Sequence, residues 1–247
     1  MKISREQKQI NRQALLQAGL DLMSEEGMKS ATMSRIAQRA GLSEPVIYKY
    51  YPTKDHLLVE YFAESLNQAI AKIEALPDFA TLTFSEQIQM LFDAQIQEFE
   101  KNKKFVNEAF RQLFLTTMSG SLTYLAQQRQ IYMDYVQRLL DAAIEVEEFP
   151  APPGKQVVCE LLWDFHLGMT YYWLNDDSAG SSRTLQMLDK SLGLFNELLK
   201  SNVLTRLVDL FYFLAREHFI KAVGGMMNLN DDQKMRKSQF LKTNKDK

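Results

Sequence analysis

Apolar residues recur at three- and four-residue intervals along nearly the whole chain, and convincing period-two runs are absent, which predicts an all-α fold. The first helix runs from about Arg5 to Glu26, with Ala14, Ala18 and Leu22 on one face and Gly27 placed to end it. Thr32 caps a short helix that stops before Gly41, and Ser43 caps another from Glu44 to about Tyr51. Pro45 is tolerated in that first turn, whose amides have no partner within the helix, and Pro52 closes the segment. Thr53 then opens a long helix reaching about Leu76, with Leu57, Leu58, Tyr61, Phe62, Leu66, Ile70 and Ile73 at helical spacing.

Pro77 is the clearest boundary. Beyond it the pattern predicts helices at about Ser85–Lys103, Lys104–Met118, Leu122–Glu148, Lys155–Asn175, Ser181–Lys200 and Val203–Val223. The expected organisation is a head at 1–53, a linker helix at 54–76, a larger helical effector-binding and dimerisation domain at 77–227, and a polar, disordered tail at 228–247.

Composition narrows the class. Hydrophobic residues are 46% and charged residues 24%, enough to bury a core, yet no stretch nears the roughly 18 apolar residues of a membrane span. The polar opening "MKISREQKQINRQ" lacks the apolar run of a secretory signal, and the single cysteine, Cys159, leaves no internal disulfide framework or Cys-based metal site. A cytoplasmic protein is the expectation. Net charge is −2, but residues 1–57 hold nine Lys/Arg against six Asp/Glu, and the acidic excess lies in the middle of the chain. A mildly basic head on an acidic body directs phosphate to the head.

The chemistry of catalysis is missing from the pattern. His56, His166 and His218 lack metal-ligand spacing, and neither a Gly-rich phosphate loop nor a GxSxG elbow occurs, so neither metal nor cofactor is expected. Cys159 and His166, seven apart, read as a small buried hydrophobe near a core histidine. An enzyme is not expected.

The stretch "ATMSRIAQRAGLSEPVIYKYYPTKDHLL" carries the function. Met33, Ile36, Ala37 and Ala40 face inward on the first short helix, Gly41 permits a tight turn, and Leu42 plugs the angle. Val46 or Ile47 packs inward from the second, leaving Glu44, Pro45, Tyr48 and Lys49 exposed. Two short helices about a glycine turn make a helix-turn-helix, whose second helix fits the major groove; a helical hairpin that merely packs would have the same spacing. The residues "GLSEPVIYKYYPTKDHL" resemble the signature of the tetracycline-repressor (TetR) family. The resemblance implies an all-α homodimer bound to a pseudo-palindromic operator in double-stranded DNA, with a ligand-binding domain behind the head. It implies that a small effector loosens the grip, as in a repressor.

By that resemblance Ser34 and Arg35 contact phosphates and sometimes bases, and Glu44, Pro45 and Val46 begin the base-reading helix. Tyr48, Lys49 and Tyr50 touch backbone or adjacent bases, and Lys54 clamps the backbone at the start of the linker. Ile47 and Tyr51 belong to the core. Tyr51 stands where Phe is commoner, and Glu44 where many members are basic; Glu44 suits either a cytosine amine or the helix dipole.

For the dimer, two long apolar stripes are candidates: Leu161, Leu162, Phe165, Gly168, Met169 and Tyr172, and Leu185, Leu188, Leu192, Phe195 and Leu199. The helix after Val203 is another, and intrachain core is the alternative. For the effector, Phe110, Phe114, Tyr132, Trp163, His166 and Met169 suit an apolar or aromatic molecule, although plain core gives the same stripe. A body that binds a protein partner stays open as the other reading.

Overall fold

A computed structural model describes residues 4–118 and 125–201, with Val203, Arg206, Leu210 and Phe213 beyond them, and the backbone alone at 114–118. The Phe114 side chain, most of the expected helix after Val203 and the polar tail lie outside the described residues. The described residues contain helices and no strand. They are α1 (Arg5–Glu26), α2 (Met33–Arg39), α3 (Glu44–Ile47), α4 (Lys54–Glu74), α5 (Phe84–Glu100), α6 (Lys103–Met118), α7 (Ala126–Glu145), α8 (Lys155–Leu174) and α9 (Ser182–Lys200).

Helix ends follow local chemistry. The Ser4 hydroxyl accepts from the Gln7 amide at 3.1 Å, and Gly27, at φ +84°, returns its amide to Met23. Thr32 caps α2 through the Arg35 amide at 3.3 Å. Thr83 and Glu86 form a reciprocal capping box on α5, which Glu148 reinforces by accepting from the Phe84 amide at 3.0 Å. Asp176 ties the α8–α9 turn, accepting from the amide and hydroxyl of both Ser178 and Thr184; these four bonds hold its carboxyl far below the usual carboxylate range.

The helix expected over Glu44–Tyr51 is shorter, ending at Ile47. Lys49 and Tyr50 continue it with tight bonds to carbonyls three residues back, at 3.1 and 2.9 Å, because Pro52 disfavours helical backbone at the residue before it. Ser43 and Thr53 occupy cap positions in extended conformation without a side-chain cap bond; the Thr53 hydroxyl lies 2.8 Å from His56 Nδ1.

One apolar core runs from α1 through α4 into the body. The head is α1 packed on α2 and α4, with α3 against α2. The linker α4 packs on α5, α6 and α7, while α8 lies against α7 and α9. Thus α4 belongs to both regions, and any tilt of it is felt by each.

Candidate nucleic-acid interface and effector region

The α2–α3 unit is set by what it buries. Ile36, Ala37, Ile47 and Tyr51 are in the core, and Gly41, at φ +70°, makes the turn while the Leu42 amide bonds back to Ala37 at 2.9 Å. With Ile47 wholly buried, Glu44, Pro45, Tyr48 and Lys49 must point outward, and Tyr48 is 48% exposed. Val46 and Tyr50 are half-buried at the edge of that row, and the Tyr50 hydroxyl accepts from Asn11 Nδ2 at 3.3 Å. The side-chain polar groups of Ser34, Glu44, Tyr48 and Lys49 have no intramolecular partner among the described residues.

Two expected contact residues are engaged elsewhere. Arg35 makes a bidentate pair with Glu26 at 2.5 and 2.6 Å and donates to the Ser30 carbonyl at 3.1 Å. Lys54 turns its ammonium to the Met28 carbonyl at 2.6 Å. Arg39 is likewise bidentate with Glu25, both bonds 2.7 Å. The carboxyl groups of Glu25 and Glu26 are held low by these arginines. The end of α1 therefore neutralises the basic face of α2. Sequence reasoning missed this, because long side chains choose partners across the fold.

It also missed Arg12, which pairs bidentately with Glu60 of α4 and lies over the Tyr51 ring at 5.3 Å. The Tyr51 hydroxyl donates to the Arg12 carbonyl at 3.3 Å, and burial beside Glu60 pushes that phenol well above its ordinary range. This cluster fastens α1 and the end of the recognition segment to the linker. At the linker's first turn, Gln112 of α6 donates to Asp55 at 2.6 Å. Head, linker and body are thus joined by directional bonds as well as by apolar packing.

In the body, Tyr132, Trp163 and His166 lie together in the core, with ring centres 4.8 Å apart for Tyr132 and His166 and 5.4 Å for Tyr132 and Trp163. Phe92 of α5 meets the His166 ring edge-on at 5.8 Å, and Met169 is buried on the same helix. Phe110 falls in a neighbouring group with Phe62, Tyr61, Phe99 and Phe105, beneath the linker. The Tyr132 hydroxyl donates to the Leu162 carbonyl at 3.1 Å, and full burial lowers the His166 imidazole to about 4, leaving it neutral at pH 7.

Among the described residues five buried polar side-chain atoms have no partner, Oγ of Ser85, Oε1 of Gln95, the Tyr135 hydroxyl, Nε1 of Trp173 and Oδ1 of Asn196, and the Trp173 ring lies 6.3 Å from Phe99 in the group beneath the linker. Gln95 uses only its amide nitrogen, on Ser65 of α4 at 3.4 Å. A glutamine inside the apolar stripe of Leu91, Phe92 and Phe99 was the available signal, and it was passed over.

The two stripes considered for a dimer divide. Leu162, Met169, Leu188, Leu192 and Leu199 are core, whereas Leu161, Tyr172 and Leu185 are exposed and Phe165 and Phe195 half-buried. Val157, Tyr171, Met187 and Leu194 extend the exposed set, and a Cβ placed at Gly168 or Gly193 would meet nothing within 4 Å. The α8 stripe is broad because that helix is apolar on more than one side, whereas the exposed apolar residues of α9 are scattered around an otherwise polar outer surface.

A helix-turn-helix head carried on a long helix shared with a larger α-helical body defines a class of DNA-directed regulator. Residues 15–61 match the family described as bacterial regulatory proteins, tetR family, and residues 87–214 match the tetracyclin repressor-like C-terminal domain. The chain belongs to the TetR family. It is 28% identical over 123 residues to the HTH-type transcriptional regulator BetI of Klebsiella pneumoniae, which is 48% of this chain and 61% of that protein. The chain thus spans less than two thirds of the curated relatives it first matches. To the HTH-type transcriptional repressor KstR of Rhodococcus jostii it is 29% identical over 172 residues, 69% of this chain and 76% of that one. FadR of Thermus thermophilus, a TetR-family repressor crystallised with lauroyl-CoA, shares the fold at TM-score 0.57 and 17% identity, over 73% of this chain and 92% of that one. Among the described residues no helix is long and apolar enough to cross a membrane.

Proposed function

We propose that this protein is a homodimeric repressor that grips a pseudo-palindromic operator with its two α3 segments and lets go when an apolar small molecule enters the body. The observation that carries the reading is the outward row Glu44, Pro45, Tyr48 and Lys49, fixed by the wholly buried Ile47 beneath it. Val46 and Tyr50 flank that row and Ser34 is exposed near the start of α2, where a major-groove reader would use them at its edges. Arg35 and Lys54 reach phosphate only after leaving Glu26 and the Met28 carbonyl, so their contribution to affinity is the smaller one.

The second copy docks on the exposed α8–α9 face, where Gly168 and Gly193 allow close approach between helices and Leu161, Tyr172, Leu185 and Leu194 supply apolar area. The effector is apolar with a few polar groups. Phe92, Tyr132, Trp163, Met169 and the neutral His166 provide the apolar wall, and the unpartnered Gln95 and Trp173 atoms provide one acceptor and one donor. Lauroyl-CoA, held by the Thermus FadR, is of that chemical kind and is the first probe.

Release follows from a tilt of α4, carried to α1 by Arg12–Glu60 and originating at α5, α7 and the Asp55–Gln112 bond. Coupling of this sort is typically about 1–3 kcal/mol, or roughly 5–150-fold in operator affinity. Fluorescence anisotropy of a genomically selected operator, titrated with lauroyl-CoA and then with other apolar molecules, tests it. The expected result is a loss within that range. Operator affinity unchanged by every saturating apolar ligand that binds the body would overturn the effector reading and leave DNA binding standing.

A further inference from the structure

Resting on the DNA-binding reading, we infer that the first two turns of α1 form a phosphate clamp that extends the interface past the recognition helix onto the flanking DNA backbone. Arg5, Lys8, Gln9 and Arg12 share one face of α1, at positions i, i+3, i+4 and i+7. That face forms one wall of a groove of about 420 Å³, and the other wall is Val46, Lys49 and Tyr50 from the recognition segment. The groove therefore opens beside the exposed row that reads bases, and a backbone strand lying over Lys49 passes along α1.

Charge separates this face from α2. Arg35 and Arg39, the cations of α2, are neutralised by Glu26 and Glu25, and Arg12 is neutralised by Glu60. Arg5, Lys8 and Lys49 are exposed and have no ion-pair partner among the described residues. Three uncompensated cations of the head thus border this groove, whereas exposed Lys29, also without an ion pair among the described residues, is not part of its lining. Such charge attracts phosphate irrespective of sequence, and each contact releases counterions. The groove's apolar parts, Val46 and the Tyr50 ring, suit the sugar between successive phosphates.

The test uses the full-length dimer on a pool of mixed-sequence duplexes, measured across a salt series. Arg5→Ala with Lys8→Ala removes two contacts from each subunit and should flatten the plot of log affinity against log salt by about 3.6, four contacts at roughly 0.9 each, and weaken binding about a hundredfold at moderate salt. Arg5→Glu with Lys8→Glu should weaken it further, with helicity unchanged because both positions are exposed. Hydroxyl-radical footprints on a selected operator should lose the protections outside the recognition-helix contacts. A salt slope and footprint unchanged in both double variants, with Lys49→Ala still lowering the slope, overturns the clamp while the head keeps its DNA. If the parent dimer binds no duplex at all, the DNA-binding reading falls and the clamp with it. Competition by adenosine monophosphate at fixed ionic strength, lost in the double variants, would make the groove a free-nucleotide site and also overturn the clamp.

Discussion

The head and the body solve opposite packing problems with the same element, the α-helix. In the head, a small buried set of Ile36, Ala37, Ile47 and Tyr51 holds polar side chains outward, and the cations of α2 are tied down by neighbouring carboxylates. In the body, long helices bury rings on one another, and polar groups such as Gln95, Trp173 and His166 are carried inward. A region that presents a fixed surface tolerates little internal ambiguity. The body, proposed to answer to a ligand, keeps polar groups inside whose partners are incomplete. The linker α4 lies in both and is bonded to each by Arg12–Glu60 and Asp55–Gln112.

The largest expected effect comes from the surface proposed to join two bodies. Gly168→Trp adds a ring where a Cβ meets nothing within the protomer, so the chain should fold yet remain monomeric by sedimentation. Operator affinity should drop by roughly 10²–10⁴-fold, the loss expected when two linked contacts become one. A variant that stays dimeric places the interface elsewhere.

Next come the two cores. Ile47→Ala removes a wholly buried side chain from beneath the exposed row and should lower stability by about 2–5 kcal/mol, read by chemical denaturation, with DNA binding lost in parallel. In the body, His166 is held neutral by burial, its folded value of about 4 lying below the ordinary imidazole value of 6.5. Between those two pH values the unfolded chain binds a proton the native state refuses, so stability is full above 6.5 and declines as pH falls toward 4. The total is about 3 kcal/mol, and His166→Phe should flatten that limb of the curve. A parent and variant with parallel pH curves would show His166 to be solvated.

The smallest effects are the most discriminating. Gln95→Leu replaces an incompletely bonded buried amide with a group of similar size, so stability should change by less than about 1 kcal/mol while effector response is lost. Loss of several kcal/mol would mean that the amide is a structural linchpin. In the head, Glu26→Gln frees Arg35 from its bidentate pair and should tighten binding to all duplexes by a few-fold, with a steeper salt dependence. Unchanged affinity would show that Arg35 has no path to phosphate.

How far the sequence could be read follows the same division. The cap at Thr32, the glycine turn at Gly41 and the inward Ile47 depend on neighbours within a few residues, and they were legible, whereas Ser4 was not singled out and Ser43 and Thr53 hold cap positions without a side-chain cap bond. The length of α3 was overestimated because Pro52 acts backward on Tyr51 and tightens the turn before it. Arg35 and Lys54 were assigned to phosphate, yet they found Glu26 and the Met28 carbonyl, partners set by the tertiary packing of α1. In the body, Leu161 and Leu162 are adjacent and equally apolar, and one is 51% exposed while the other is 2% exposed. A helix with two apolar faces gives no periodic signal to tell them apart.

The central claim is a symmetric dimer that reads DNA with α3. It is tested most directly by selecting bound fragments from genomic DNA with the full-length protein and footprinting the strongest. The account predicts a pseudo-palindrome whose half-sites lie about one helical turn apart or slightly more, roughly 34–36 Å at the least, protected symmetrically and released by an apolar ligand. Recovered fragments without a shared two-fold motif, or a footprint unaffected by Tyr48→Ala with Lys49→Ala, would contradict it.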